Sequence, residues 1–168
     1  MCNPDWLPDP IMYSDYGGDF QRFIDDIHSE FCNDFVRSGI QFRNKNINIK
    51  MENINGKEET FWKVISEKFN TPQECIDFRR CELIKWIGAI ILNADSSPDI
   101  VIYKVKRRKK SHSEMRTVLW LEKVDFKVIL REHHTHFFLV SAHKSEWEHT
   151  RENQENERDS YFRSIKSA

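Results

Sequence analysis

At 168 residues the chain has the length of one domain, and 39% hydrophobic residues suffice for a core of its own. No stretch approaches the roughly 18 apolar residues of a membrane span, which points away from a membrane-spanning protein. The net charge of -1 excludes a uniformly basic polyanion binder, but charged residues make up 32% and are unevenly spread.

Residues 1–18 hold three prolines and the pair Gly17-Gly18, and read as an irregular arm pinned by Trp6 and Tyr13. Residues 19–98 read as a mainly helical part with one β-hairpin. Asp19 fits a helix N-cap, and Phe20, Phe23, Ile24, Ile27, Phe31 and Phe35 follow at helical spacing up to Gly39. Ile40, Phe42, Ile47, Ile49 and Met51 alternate like a hairpin around Asn44-Lys45-Asn46, and Asn55-Gly56 marks a further turn. A second helix is predicted over Glu58–Phe69. Thr71-Pro72-Gln73-Glu74 is a capping box that opens a third, running to about Phe78. Cys81–Lys85 reads as a strand or bend, and Trp86–Ala94 as a fourth helix.

Residues 99–143 read as an antiparallel sheet. Asp99–Lys106, Thr117–Leu121, Phe126–Arg131 and Phe137–Ala142 are rich in β-branched, aromatic and other apolar residues, with short polar breaks between the last three. Side chains alternate between faces. Thr117, Leu119, Leu121, Phe126, Val128 and Leu130 make one nearly apolar face; Arg116, Val118, Trp120, Lys127, Ile129 and Arg131 make a mixed, cationic one. The apolar face should share one core with Phe23, Ile27 and Phe31, and the cationic face should stay partly open. Residues 144–168 read as a polar, exposed C-terminal helix with Trp147, Tyr161 and Phe162 as docking points. The predicted fold is therefore α+β, with N-terminal helices and a small hairpin packed on a four-stranded antiparallel meander, in a single domain.

Lys104, Lys106, Arg107, Arg108, Lys109, Lys110 and Arg116 fall within thirteen residues, offset only by Glu114. Each charge would replace a counterion on a nucleic-acid backbone, or simply guard a sheet edge as solvated surface. Arg79-Arg80 would pair with Glu74 or Glu82, or hold phosphate. His133, His134, His136 and His143 lack nearby carboxylates or cysteines at ligand spacing and read as turn and surface residues, so no metal or other cofactor is expected. Cys2, Cys32, Cys75 and Cys81 show no close ligand spacing. With no hydrophobic leader in MCNPDWLPDP, free thiols in a reducing cytoplasm are expected.

GKEETFWKVIS at 56–66, RRCELIKWIGAIILNA at 79–94, YKVKRR at 103–108, RTVLWL with DFKVIL, and FFLVSAH at 137–143 stand in an order that resembles a small bacterial and phage-borne family. That family is similar to the barnase–EndoU–colicin–RelE group of metal-independent ribonucleases. The resemblance implies an RNA cleft on the open sheet face and cleavage by 2′-OH attack, as a toxin or phage-defence enzyme with an antitoxin or immunity protein as a further partner. It implies catalytic roles for Lys63, Arg80, Lys106, Ser141 and His143, and RNA contacts for Arg79, Lys104, Arg107, Arg108, Lys109, Lys110, Arg116 and Arg131. The chain departs from the family pattern at Lys63, where a histidine follows Phe-Trp, and at His143, where an aromatic stands. The alternative is a degenerate nuclease fold that binds RNA or a protein without cleaving.

Overall fold

The computed structural model describes residues 2–67, 75–145 and 147–168. Helix α1 spans Phe20–Cys32 and is capped by Asp19, whose side chain accepts a hydrogen bond from the Arg22 amide. A π-helical turn at Asn33–Arg37 follows before Gly39, at φ +62°, turns the chain. Strands β1 (Gln41–Phe42) and β2 (Lys45–Asn48) form a hairpin whose turn residues Arg43 and Asn44 both have positive φ. The turn thus centres one residue earlier than the asparagines suggest. Strands β3 (Asn53–Ile54) and β4 (Lys57–Glu58) pair around Asn55-Gly56.

Helix α2 is short, Glu59–Val64. The helix ends earlier than predicted: residues 65–67 are not helical, and Ser66 forms an isolated antiparallel bridge to Ile76. Residues 68–69 of the predicted helix and the capping box at 71–74 lie outside the described residues. Helix α3 spans Phe78–Glu82, with Asp77 accepting from the Arg79 amide, and α4 spans Ile84–Asn93. The segment that reads as a strand or bend is therefore the junction of two helices. The arm is tied to them: Trp86 donates to the Pro8 carbonyl at 2.8 Å, and the Ile11 amide donates to the Glu82 carbonyl.

The fold is α+β, and the expectation of a four-stranded antiparallel sheet needs correction. Strands β5 (Ile100–Arg108), β6 (Ser113–Leu121), β7 (Phe126–Glu132) and β8 (His136–Lys144) are part of a mixed six-stranded sheet ordered β1-β2-β8-β7-β6-β5. The N-terminal hairpin does not pack on this sheet; it extends it. β2 pairs in parallel with β8, Ile47 opposite Phe137. The chain between them, which includes helices α2 to α4 and strands β5 to β7, supplies the long connection that parallel pairing requires.

Leu119, Leu121, Val128 and Leu130 share one core with Phe23, Ile27 and Phe31, as the apolar periodicities predict. The second face is not left open along its length. Helix α5, Glu148–Lys166, lies on it, and Tyr103, Val118 and Trp120 are buried there with Tyr161 packed against them. Arg151 and Arg158 sit over the Trp120 ring at 5.8 and 5.4 Å. Trp147 and Phe162 stay exposed, so Tyr161 is the docking residue of the three aromatic candidates. Among the described residues no helix is long and apolar enough to cross a membrane, and the four cysteines are free.

Asp34 turns its carboxyl against α4 at Gly88, where an added Cβ would stand 2.1 Å from Oδ2. Burial, with the charge of Glu30 adding to it, pushes this carboxyl up to about 6. A pKa higher in the folded state favours folding below the unfolded value, near about 3.9, and that contribution disappears as pH rises through the folded value. Asp34→Asn is expected to raise the urea midpoint at about pH 8 and to change it little at about pH 4. Denaturation curves at both pH values measure this; an equal shift at both would show that Asp34 charge burial is not the cause.

Candidate nucleic-acid interface

The registers of β5 to β8 decide which predicted site residues share a face. Lys104 lies opposite Thr117 and Lys106 opposite Met115, which puts both on the side of Leu119 and Leu121. Lys104 is paired with Glu132 at 2.7 Å, and Lys106 is exposed. Arg116, Arg131, Ser141 and His143 lie on the other side. Lys106 is thus separated by the sheet from Ser141 and His143.

Ser141 and His143 are hydrogen-bonded, Oγ to Nδ1 at 2.9 Å. His143 opens to a small cavity of about 40 Å³ lined also by Asp77, Arg79, Arg80 and Leu83. Arg80 donates to the Ser66 carbonyl at 2.7 Å and pairs with Asp77, which gives it a structural task. Arg79 is largely exposed. Burial, followed by the charges of Lys127 and Arg80, pushes His143 down to about 3. Its imidazole is therefore neutral near pH 7 and is a weak base, not a proton donor.

Lys63 belongs to a different site. It lines a narrow cleft with Lys50, Lys109, Glu114, Arg116, Arg131, Phe138, Leu139 and Val140. Helix α2 carries Lys63 against β8, and the β5–β6 turn brings Lys109 from the far side. Val140 is the extra residue of a bulge, since Ile129 pairs with Ser141 and Leu130 with Leu139. The bulge turns local side chains toward the cleft. Glu114 is buried at the centre. Its Oε1 accepts from Arg116 Nε at 2.7 Å and has Lys109 Nζ at 3.8 Å, while Arg131 Nη1 stands 3.9 Å from Oε2. Burial alone would raise the Glu114 pKa, but Arg116 and its cationic neighbours hold it below the usual carboxylate range. Glu59, which pairs with Lys50 at 3.2 Å, is the other carboxylate beside the cleft. Among the described residues at the cleft, the five cations Lys50, Lys63, Lys109, Arg116 and Arg131 against Glu114 and Glu59 leave a surplus of three positive charges. Burial and the charges of Lys50, Lys109 and Arg116 lower the Lys63 pKa, with Glu59 opposing.

The cleft runs into a group of rings. Arg131 sits over Phe138 at 4.9 Å and donates from Nε to His133 Nε2 at 3.2 Å. His133 and His136 stack at 4.7 Å, and both meet Phe138 edge-on at 5.2 and 5.0 Å. The sequence shows these histidines but not their grouping. The usable signal is the alternation that puts His136 and Phe138 on one face of β8, with His133 returning beside them across the turn. Lys50 carries no local signal, because only the packing of α2 brings it to the cleft.

Of Arg107, Arg108, Lys109 and Lys110, only Lys109 lines the cleft. Arg107 is paired with Glu157 of α5 at 2.7 Å, and Arg108 and Lys110 are exposed. Of the thirteen residues singled out in the sequence, Lys63, Lys109, Arg116 and Arg131 line it together. No family model, curated protein or solved structure matches the chain.

The depressed His143 pKa has a measurable consequence. A base with a lower pKa in the folded state gives stability that is complete above the unfolded value, near about 6.5, and is lost as pH falls toward the folded value. His143→Gln is expected to flatten the decline of the urea midpoint between about pH 6.5 and pH 3. The same decline in both proteins would show that His143 is not the buried group responsible.

Proposed function

We propose that the chain binds single-stranded RNA along the cleft of Lys50, Lys63, Lys109, Arg116 and Arg131. The observation that carries this reading is the junction at Arg131 and Phe138 of a positively charged cleft with a group of aromatic rings. Cations that track a backbone beside rings on which bases stack are the two parts of a single-strand site. Glu114 supports the arrangement by holding Arg116 and Lys109 in place before any ligand arrives. The rings of His133, His136 and Phe138 supply stacking surface at the mouth.

A second reading is metal-independent endoribonuclease activity of the toxin or phage-defence type, in which the bound RNA is cleaved by attack of its 2′-OH. One observation favours it: the lowered pKa of Lys63 brings an amine in the cationic cleft nearer to base function. Arg116 and Arg131 would then hold the charge on the phosphorane oxygens as the 2′-oxygen displaces the 5′-oxygen, which takes up a proton from water. Arg80, Lys106, Ser141 and His143 do not line the Lys63 cleft, so this chemistry would rest on Lys63 and the two arginines.

Both readings are separable in one set of assays. A labelled single-stranded RNA is expected to bind with an affinity that falls with salt. Lys109→Gln should lower the magnitude of the log–log slope by about 0.7, the value for one contact on a single strand. Phe138→Ala should weaken binding by about 1–3 kcal/mol. An unchanged slope and affinity in both variants would remove the cleft as the RNA site. For cleavage, RNA is incubated with the protein in chelator near neutral pH. If Lys63 is a poorly matched base, Lys63→His should raise the rate by about 10²–10⁴-fold. Binding without cleavage in either form leaves the binding reading standing alone.

A further inference from the structure

At the entry to α2, α1 and the β3–β4 hairpin bring three different donor groups together. His28 and Cys32 stand four residues apart on α1 and so share one helix face. Glu58 reaches them from the end of β4. His28 Nε2 is 2.6 Å from Glu58 Oε2 and 3.3 Å from Cys32 Sγ. Cys32 Sγ is 4.0 Å from each Glu58 oxygen. The three donor atoms lie within 4.8 Å of one another.

Hydrogen bonding alone accounts poorly for this group. Both the carboxylate and the sulfur approach the same ring nitrogen. That nitrogen carries at most one proton, which the short contact to Glu58 occupies. The thiol is left with acceptors at 4.0 Å, the far limit for sulfur. A centre shared by all three removes the conflict. Tetrahedral coordination with ordinary zinc–ligand lengths puts nitrogen and oxygen about 3.3 Å apart, and each about 3.6 Å from sulfur. The observed 2.6, 3.3 and 4.0 Å need side-chain shifts of only a few tenths of an ångström.

We infer that His28, Cys32 and Glu58 form a site for a borderline-soft divalent cation, Zn²⁺ in chemical class, with solvent in the fourth position. Nitrogen, thiolate and carboxylate together select such an ion over Mg²⁺ or Ca²⁺, which take oxygen sets. The charges balance: a 2+ ion with a thiolate, a carboxylate and a neutral imidazole is net zero. Binding would release the thiol proton and any proton held between His28 and Glu58. Cys32 is buried, whereas the side chains of His28 and Glu58 keep 21% and 17% of their surface. That leaves a path for the ion and for its fourth ligand. The His28 ring is fixed by an edge contact with Phe61 at 4.8 Å. Lys57, beside Glu58, is already paired with Asp25 at 2.8 Å. The ion would clamp α1 to the strand that leads into α2. The site shares no residue with the RNA cleft, so either can stand without the other.

The test uses Co²⁺ alone as the probe, on the full chain with Cys2→Ser and Cys75→Ser to remove the two more accessible thiols. One cobalt per chain is expected, with a thiolate-to-cobalt charge-transfer band that Zn²⁺ abolishes by displacement. Adding Cys32→Ser should remove the band. Adding Glu58→Gln, which keeps the side-chain shape, should weaken cobalt binding by at least about tenfold. Circular dichroism checks that each variant is folded. A folded parent with no charge-transfer band overturns the inference. So does a band that survives Cys32→Ser, or a cobalt affinity unchanged by Glu58→Gln; this last measurement decides if Cys32→Ser does not fold.

Discussion

Strand β6 is buried on both faces, and the architecture follows from that constraint. Val118, Leu119, Trp120 and Leu121 are consecutive and all buried. Alternation sends Leu119 and Leu121 one way and Val118 and Trp120 the other. Water must therefore be excluded from both faces over the same stretch. Helices α1 and α4 do this on one side. The other side is covered from the C-terminal end of the chain. Helix α5 supplies that cover, although its own sequence is strongly polar. It holds on with Tyr161, with two arginines over Trp120, and with Arg158–Glu122 at 2.9 Å. Lys127 Nζ adds a hydrogen bond to Gln154 at 2.7 Å. Stacked guanidiniums and partly buried polar contacts take the place of an apolar stripe.

The same constraint places the cleft. The apolar half of the second face lies toward the Trp120 end of β6, and α5 covers it. Arg116 and Glu114 continue the strand beyond that cover, and Arg131 is the register partner of Arg116. Burying Glu114 there costs desolvation, which the surrounding cations offset. Their positions are thus set by the fold and not by a ligand. Mutual repulsion among the cations is only partly relieved by Glu114 and Glu59, and a polyanion would relieve the remainder.

Parallel addition of β2 to β8 has a related effect. It covers the β8 edge at 136–138. It also leaves the stretch from Leu139 onward to meet α2. Lys63 enters the cleft at that opening, beside the bulge at Val140. The run Arg107, Arg108, Lys109 and Lys110 contributes less than its charge density suggests, because Arg107 is engaged by α5 and only Lys109 lines the cleft.

What the sequence determined alone is local and periodic. The 3.6-residue spacing of Phe23, Ile27 and Phe31 and the alternation of Leu119, Leu121, Val128 and Leu130 placed these residues in one core. Asp19 and Asn55-Gly56 marked a cap and a turn through backbone chemistry that acts within a few residues. The α+β class follows from the order of those elements. The tertiary structure alone decided what depends on pairing distant segments. The hairpin at 41–48 joined the sheet because β2 found an edge of β8 nearly ninety residues away, for which no local pattern codes. The second face was covered because α5 made specific contacts with Trp120 and Lys127 despite its polar composition. Lys63 and Lys109 met in one cleft, whereas Lys106 and His143 fell on opposite sides of the sheet. His28, Cys32 and Glu58 came together for the same reason: two share a helix face by spacing, but the third arrives only through packing. Periodicity acts over a turn or a strand, whereas a site is assembled by the burial that closes long loops.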